Sequence, residues 1–160
     1  MKEVKLSATL KAAAWEELDK SDRQLIEAAK AASEKSYAIY SHFNVGAAVR
    51  LVDGTIITGN NQENAAYPSG LCAERTTLFY TNANYPDTAV ECLAIAARTG
   101  GHFIAEPISP CGACRQVILE TEKRYGYAIR ILLYGEKETI IVEEGIKALL
   151  PLSFGSEFLE

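Results

Sequence analysis

Three cysteines and a glutamate carry the clearest chemical signal in this chain. Glu74 follows Cys72 by two residues, and Cys111 and Cys114 stand in the run PCGAC at residues 110–114. Zinc binds cysteine thiolates readily, and a catalytic zinc site keeps three protein ligands and leaves the fourth position to water. The sequence therefore predicts one Zn²⁺ ion per chain, bound by three thiolates beside a carboxylate.

The ligand count depends on the fourth cysteine. Cys92 lies in the apolar run 91–96, which predicts a buried strand and an inert thiol. A redox pair at Cys111 and Cys114, or buried core thiols, would be the alternative to metal binding. The glutamate after Cys72 and the proline before Cys111 favour the metal site.

Helical geometry explains how these residues reach one ion. Cys111 and Cys114 lie three residues apart, which places both sulfurs on one face of a helical turn. Cys72 is predicted to open another helix. Two helix N-termini brought together aim unpaired N–H groups and positive dipole ends at the thiolates. Glu74 in a first turn also complements a helix dipole, so only the adjacent metal favours an acid–base role for it.

Four strings of residues together resemble one known family. They are FNVGAA at 43–48, NQENAAY at 61–67, CAER at 72–75 and PCGACRQ at 110–116. In order and spacing, the chain from about Ser21 to Phe154 is similar to the small homotetrameric cytidine deaminases. The resemblance implies hydrolysis of cytidine and 2′-deoxycytidine to uridine and 2′-deoxyuridine plus ammonia, in nucleoside salvage. It implies Glu74 as the proton carrier beside zinc and no organic cofactor.

The resemblance also assigns substrate-binding residues. Asn61 and Glu63 match residues that hydrogen-bond the ribose 3′ hydroxyl, and Phe43 matches an aromatic that packs against the base. Tyr67 lies in the same loop and is also assigned to the substrate site. The N–H of Ala73 is assigned to bind the base O2, and the carbonyl of Ser109 to accept from the departing amine. Arg75 is assigned to contact the cysteine sulfurs, and Phe154 to enter the site of a neighbouring subunit.

Each assignment has a plainer alternative. Asn61 and Glu63 are otherwise polar loop residues, and Phe43 and Phe154 are otherwise core aromatics of their own chain. Arg75 is otherwise an ordinary surface arginine. Two other functions stay open: a related small-molecule deaminase of the blasticidin S type, and a structural zinc module without turnover, against which an open coordination position argues.

Composition narrows the class of protein. The chain has 160 residues, 48% of them apolar, which suits one domain. The chain has a net charge of −5, whereas proteins that bind the phosphate backbone of nucleic acids usually carry an excess of basic residues. No run approaches the roughly 18 consecutive apolar residues of a membrane span. We expect a cytoplasmic enzyme with a small-molecule nucleoside substrate, no nucleic-acid or membrane partner, and a homotetramer with shared active sites, as the resemblance implies.

The order of predicted elements indicates an α/β domain. Residues 1–20 are taken as an N-terminal extension and 21–160 as the deaminase domain. Ser21 and Gln24 form a capping-box pattern for a first helix, and Asp53-Gly54 predicts a hairpin between the first two, antiparallel strands. Helices are expected over 21–36, 72–83, 111–123 and 143–150, and strands over 43–51, 55–59, 93–97, 129–134 and 139–142. With the resemblance, this predicts a three-layer α/β/α fold with a mixed sheet of about five strands.

Overall fold

The computed structural model describes residues 1–159. Its helices are α1 (Lys20–Ser33), α2 (Ala73–Asn84) and α3 (Gly112–Tyr125). Its strands are β1 (Lys11–Ala13), β2 (Phe43–Leu51), β3 (Ile56–Asn60), β4 (Val90–Thr99), β5 (His102–Phe103), β6 (Arg130–Tyr134) and β7 (Thr139–Val142). In this part of the chain, no helix has both the length and the apolar character needed to cross a membrane.

All seven strands belong to one mixed sheet. The strand order is β1-β7-β6-β4-β2-β3, and β5 pairs with β4. β4 and β6 run parallel, whereas the other pairings are antiparallel, including the predicted pair β2 and β3. The prediction of about five strands missed β1 and β5, which have three and two residues. Strands this short carry no alternating pattern from which to predict them.

Helices cover both faces of the sheet, which gives the expected three layers. α1 packs Leu25, Ile26 and Ala29 against one face. α2 and α3 pack against the other face, where Leu78 of α2 and Ile118 of α3 belong to a separate cluster of buried apolar residues. β4 is buried on both sides, so its sequence is a nearly continuous apolar run.

Two local predictions differ from the structure. The N-cap of α1 is Asp19, whose carboxylate accepts a hydrogen bond from the N–H of Asp22, and Ser21 instead donates to Asp19. An aspartate N-cap satisfies a free helical N–H as well as serine does. The predicted final helix is a single 3-10 turn, Ile146–Ala148. The glycine and the proline at 145 and 151 leave too few residues for a stable α-helix.

The N-terminal segment contacts the rest of the fold. β1 pairs with β7, and the Trp15 ring packs edge-on against Tyr134, with 6.2 Å between centroids. The Lys30 ammonium lies 5.5, 5.1 and 5.0 Å from the ring centroids of Trp15, Phe103 and Tyr134. The division at residue 20 stays a prediction, although β1 extends the sheet of the main domain.

Candidate active site and metal centre

The three predicted ligands lie together. The Sγ atoms of Cys72 and Cys111 are 3.8 Å apart, and those of Cys111 and Cys114 are 3.5 Å apart. All three sulfurs lie within 4.8 Å of one another. They form the only cluster of this kind among residues 1–159, and Cys92 is buried elsewhere.

Two helix N-termini bring the sulfurs together. Cys72 is the N-cap of α2 and Cys111 is the N-cap of α3, and neither side chain caps its own helix. Cys114 lies in the first turn of α3, so its sulfur shares a face with that of Cys111. The sulfurs therefore lie where free N–H groups and helix dipoles favour negative charge.

The cluster fits zinc. Tetrahedral coordination with Zn–S bonds of about 2.3 Å places two sulfurs about 3.8 Å apart. The measured separations of 3.8 and 3.5 Å are close to this spacing. Three thiolates also match the preference of zinc for soft ligands, and they leave room for a fourth ligand. The chain therefore has one zinc site, made of Cys72, Cys111 and Cys114.

The thiols influence one another strongly. A hydrogen bond with the Cys114 thiol lowers the pKa of Cys72 to about 5, and Arg75 contributes to the decrease. The same hydrogen bond and burial raise the pKa of Cys114. The surroundings of Cys72 therefore favour its thiolate form, which is the form that binds a metal ion.

Glu74 lies beside the sulfurs in the first turn of α2. It is 5% exposed, which is unusual for a carboxylate. Burial raises its pKa, and the charge of Cys72 raises it further. Such an environment brings the pKa of a carboxylate closer to the range in which it can both accept and donate protons.

Arg75 lies next to the metal ligands. Its Nη2 is 3.9 Å from the Sγ of Cys72. Its Nε is buried and, among residues 1–159, has no hydrogen-bond partner. The guanidinium therefore places a positive charge beside a cluster of three potential thiolates.

A cavity of about 520 Å³ opens beside the cluster. Cys72 and Arg75 line it, so the cavity and the metal site are continuous. Of the other predicted site residues, Asn61, Glu63 and Tyr67 line it too. This volume is within the range of small-molecule sites.

The polar loop residues are held by hydrogen bonds. One carboxylate oxygen of Glu63 accepts from the N–H groups of Tyr40 and Ser41, at 2.8 and 3.3 Å. The Asn61 side chain accepts from the N–H of Val45 at 2.8 Å and donates to the carbonyl of Phe43 at 2.9 Å. Asn61 thus links its loop to the first residues of β2.

Glu74, Cys111 and Cys114 do not line this cavity, and neither do four of the predicted substrate-binding residues. Phe43 is partly buried at the start of β2, and Ala73 is buried as the first residue of α2. Ser109 precedes the metal helix and its hydroxyl accepts from Arg115 at 2.9 Å. Phe154 is 59% exposed and stacks on Phe158, with 5.7 Å between ring centroids.

Sequence reasoning missed two residues around this site. Ser41 lines the cavity and hydrogen-bonds Glu63. Arg115 donates to Ser109 and to the carbonyl of Pro110, so it braces the loop that leads into α3. The only sequence signal was their position: Ser41 lies two residues before Phe43, and Arg115 directly follows the ligand Cys114.

These features define a zinc hydrolase whose metal lies where two helix N-termini meet on one face of an α/β/α sandwich. A family profile described as the cytidine and deoxycytidylate deaminase zinc-binding region matches residues 19–128. The chain belongs to this family.

Similar proteins of known sequence or structure support this family assignment. A cytidine deaminase of Sporosarcina psychrophila is 41% identical over 136 residues, covering 85% of this chain and 93% of the relative. A cytidine deaminase of Halalkalibacterium halodurans is 40% identical over 139 residues, covering 85% of this chain and 96% of the relative. The crystal structure of cytidine deaminase from Burkholderia pseudomallei has a TM-score of 0.68 at 40% identity, covering 82% of this chain and 97% of that one.

Proposed function

We propose that this chain is a zinc-dependent cytidine deaminase that hydrolyses cytidine and 2′-deoxycytidine to uridine and 2′-deoxyuridine, releasing ammonia. One observation carries the proposal: buried Glu74 lies beside a three-cysteine zinc site, and this site is continuous with a small-molecule cavity whose lining includes the polar side chains of Asn61 and Glu63. The family membership and relatives named cytidine deaminase support the same reaction.

Hydrolysis at C4 of cytosine needs a nucleophile and several proton transfers. Zinc, when bound, supplies the nucleophile by lowering the pKa of water to about 7. Glu74 takes the proton that the water gives up and delivers it to N3 as the C4–O bond forms. Glu74 then moves the hydroxyl proton to the amino nitrogen, the C4–N bond breaks, and ammonia leaves as the C4 carbonyl forms.

Three neighbours orient the base in this proposal. The N–H of Ala73 is in the first turn of α2, where helical N–H groups lack intrahelical acceptors, and it donates to the base O2. The carbonyl of Ser109 accepts from the amine as it departs. Phe43 packs against the base. Arg75 offsets the negative charge of the thiolates, supported by its 3.9 Å approach to Cys72.

The sugar is held by the loop at 61–67. Glu63 is a carboxylate and accepts a hydrogen bond from the 3′ hydroxyl. The Asn61 side-chain amide donates one hydrogen bond to β2 and accepts another from it. Its second N–H is therefore free to donate to the same 3′ hydroxyl. Tyr67 lines the same cavity and packs edge-on against Tyr40, with 6.4 Å between ring centroids. Free cytosine has no 3′ hydroxyl and makes neither of these contacts, so we expect it to be a poor substrate.

The proposal also covers the oligomeric state, the metabolic role and the cellular location of the enzyme. We place the enzyme in pyrimidine nucleoside salvage, as a homotetramer in which Phe154 closes the site of a neighbouring subunit. Two observations support this arrangement: Phe154 is exposed, and it does not line the cavity of its own chain. We place it in the cytoplasm, because the three ligands must stay reduced to bind zinc.

The test is loss of ultraviolet absorbance as cytidine is converted, with and without a chelator. Glu74→Gln should retain one zinc per chain and lose at least about 10²- to 10⁴-fold in kcat. Glu120→Gln, an exposed carboxylate on α3, is the control and should keep full activity. Near-normal turnover by a zinc-loaded Glu74→Gln protein would contradict the role of Glu74. Turnover of blasticidin S but not cytidine would favour the alternative deaminase, and no turnover of either would favour a structural zinc module.

A further inference from the structure

We infer that Ser41 is a positioning residue, which fixes the Glu63 carboxylate at the sugar end of the cavity and so determines how tightly the nucleoside binds. The inference rests on the proposed function, because it assigns the orientation of a group that is proposed to bind ribose.

The Ser41 hydroxyl makes two hydrogen bonds. It donates to Oε1 of Glu63, and it accepts from the N–H of Phe43 at 3.0 Å. The N–H groups of Tyr40 and Ser41 meanwhile donate to Oε2 of Glu63. Both carboxylate oxygens are therefore held by two adjacent loop residues, and one of these is bonded to the start of β2.

The backbone next to Ser41 has an unusual conformation. His42 has a φ of 54°, and it is the only non-glycine residue with positive φ among residues 1–159. This region is unfavourable for residues with a Cβ. The turn is held by the N–H of His42, which donates to the carbonyl of Ala38 at 3.0 Å, and by the hydroxyl of Thr99, which donates to the carbonyl of His42 at 3.2 Å. The reversal at His42 lets the Ser41 hydroxyl reach the N–H of Phe43.

The arrangement prepares Glu63 for a hydroxyl ligand. A free glutamate side chain loses rotamer freedom when it binds, and a carboxylate already held in place avoids most of that loss. The hydrogen bond from Ser41 is also the main reason that the pKa of Glu63 is lowered, with the N–H of Tyr40 contributing next. Glu63 therefore stays ionised and can accept from a sugar hydroxyl.

The role differs from catalysis and from simple loop closure. Ser41 also lines the cavity, but its hydroxyl donates to Glu63 and accepts from the N–H of Phe43, so it acts on the substrate through Glu63. Its removal should therefore weaken the binding of ground state and transition state alike. KM should then rise while kcat changes little. A serine that only closed the loop would instead affect every substrate to the same extent, with or without the 3′ hydroxyl.

The experiment compares Ser41→Val with Ser41→Thr, which differ only by a methyl group in place of the hydroxyl. Each variant is assayed with cytidine and with 3′-deoxycytidine, alongside zinc content and thermal unfolding. Loss of a hydrogen bond to a charged group at an exposed site should raise KM for cytidine roughly tenfold in Ser41→Val. Ser41→Thr should stay near the parent, and 3′-deoxycytidine should respond much less to Ser41→Val.

A second comparison uses Glu63→Gln. In that background, adding Ser41→Val should raise KM for cytidine much less than it does in the parent, because the two side chains act through one contact. Equal losses for both substrates, equal losses in Thr and Val, or a fully additive double variant would each overturn the positioning role. If the parent turns over no cytidine while holding one zinc per chain, the proposed function fails, and Ser41 has no ribose contact to position.

Discussion

The Arg115 guanidinium of α3 donates a 2.6 Å hydrogen bond to the backbone carbonyl of Leu149. The same side chain donates to the carbonyl of Pro110 at 2.8 Å and to the hydroxyl of Ser109 at 2.9 Å. One arginine therefore ties the C-terminal segment to the loop that leads into the metal-binding helix. The planar fork of donors explains why an arginine serves here.

We expect Arg115→Lys to loosen both segments, because a single ammonium cannot reproduce three bonds in fork geometry. The partly exposed site reduces the worth of each bond, so we expect a loss of about 1–3 kcal/mol in unfolding free energy. The measurement is urea unfolding of the zinc-loaded protein. Arg124→Lys is the matched control, since Arg124 makes one long hydrogen bond of 3.4 Å to the carbonyl of Pro86 and otherwise lies over the Tyr125 ring, where a lysine can also place its charge. Equal stability of the two variants would show that Arg115 braces nothing.

Gly46 marks a close approach between β2 and α1. A Cβ on this residue would lie 2.0 Å from the carbonyl oxygen of Ala29 and 2.5 Å from the nitrogen of Ser33. Both atoms are backbone, so α1 would have to move away from the sheet. We expect Gly46→Ala to destabilise the fold by about 3 kcal/mol, the upper end for overpacking. Gly112→Ala is the control, because a Cβ there meets nothing within 4 Å. Similar unfolding midpoints for the two variants would contradict this packing.

Glu122 gives a prediction about pH. Its Oε1 accepts from the N–H groups of Ile129 and Ile146, each at 2.9 Å. Burial raises its pKa above the ordinary 4.5, against the opposing effect of these hydrogen bonds and of Lys147. The folded state thus favours the protonated form. The stability from this group is present below about pH 4.5 and is lost as pH rises through the raised pKa.

Glu122→Gln removes this titration, while its carbonyl oxygen can still accept both N–H groups. Relative to the parent, the variant should gain stability between pH 5 and pH 8, as measured by urea unfolding at both values. The difference cancels contributions from the cysteines, which both proteins share. Glu120→Gln, at an exposed position of the same helix, is the control for the chemical change from glutamate to glutamine. A difference that is constant with pH, or that shrinks towards pH 8, would count against the raised pKa.

The sequence predicted the metal cluster well for a local reason. The spacing of Cys111 and Cys114 sets their sulfurs on one helical face whatever the rest of the fold does. A catalytic zinc site then needs a third protein ligand, and Cys72 beside Glu74 is the candidate that the sequence offers. The three main helices and the larger strands were predicted because their apolar patterns are long enough to read. The fold class and the antiparallel pair β2 and β3 were confirmed.

What the sequence could not supply depends on distant contacts. β1 is a strand only because β7 lies beside it, nearly 130 residues later in the chain. Asn61 looks like a loop amide, whereas the fold uses it to hold β2. Apart from its position two residues before Phe43, Ser41 gave no signal, because a serine in a polar loop is unremarkable until Glu63 is placed against it. Hydrogen bonds between separate loops produce no periodic pattern in a sequence, so they cannot be predicted from it.

The last prediction concerns Phe154 and assembly. The ring is 59% exposed and stacks on Phe158, and Leu152 and Leu159 of the same C-terminal segment are exposed as well. Gln116 holds the Phe154 carbonyl at 2.9 Å, so the backbone is anchored while the ring is left for another contact. A clustered apolar surface of this sort usually marks an interface. If Phe154 closes a neighbour's site, catalysis should depend on assembly.

Mixing two inactive or impaired chains tests this dependence. Glu74→Gln chains keep Phe154, and Phe154→Ala chains keep Glu74, so mixed assemblies formed by co-refolding should rebuild some complete sites. The mixture should be more active than the sum of the separate variants. The control replaces the first chain by a Glu74→Gln, Phe154→Ala double variant, which cannot rebuild a site. A mixture no better than this control, or sedimentation that shows a fully active monomer, would exclude a shared site, because each chain would then complete its own.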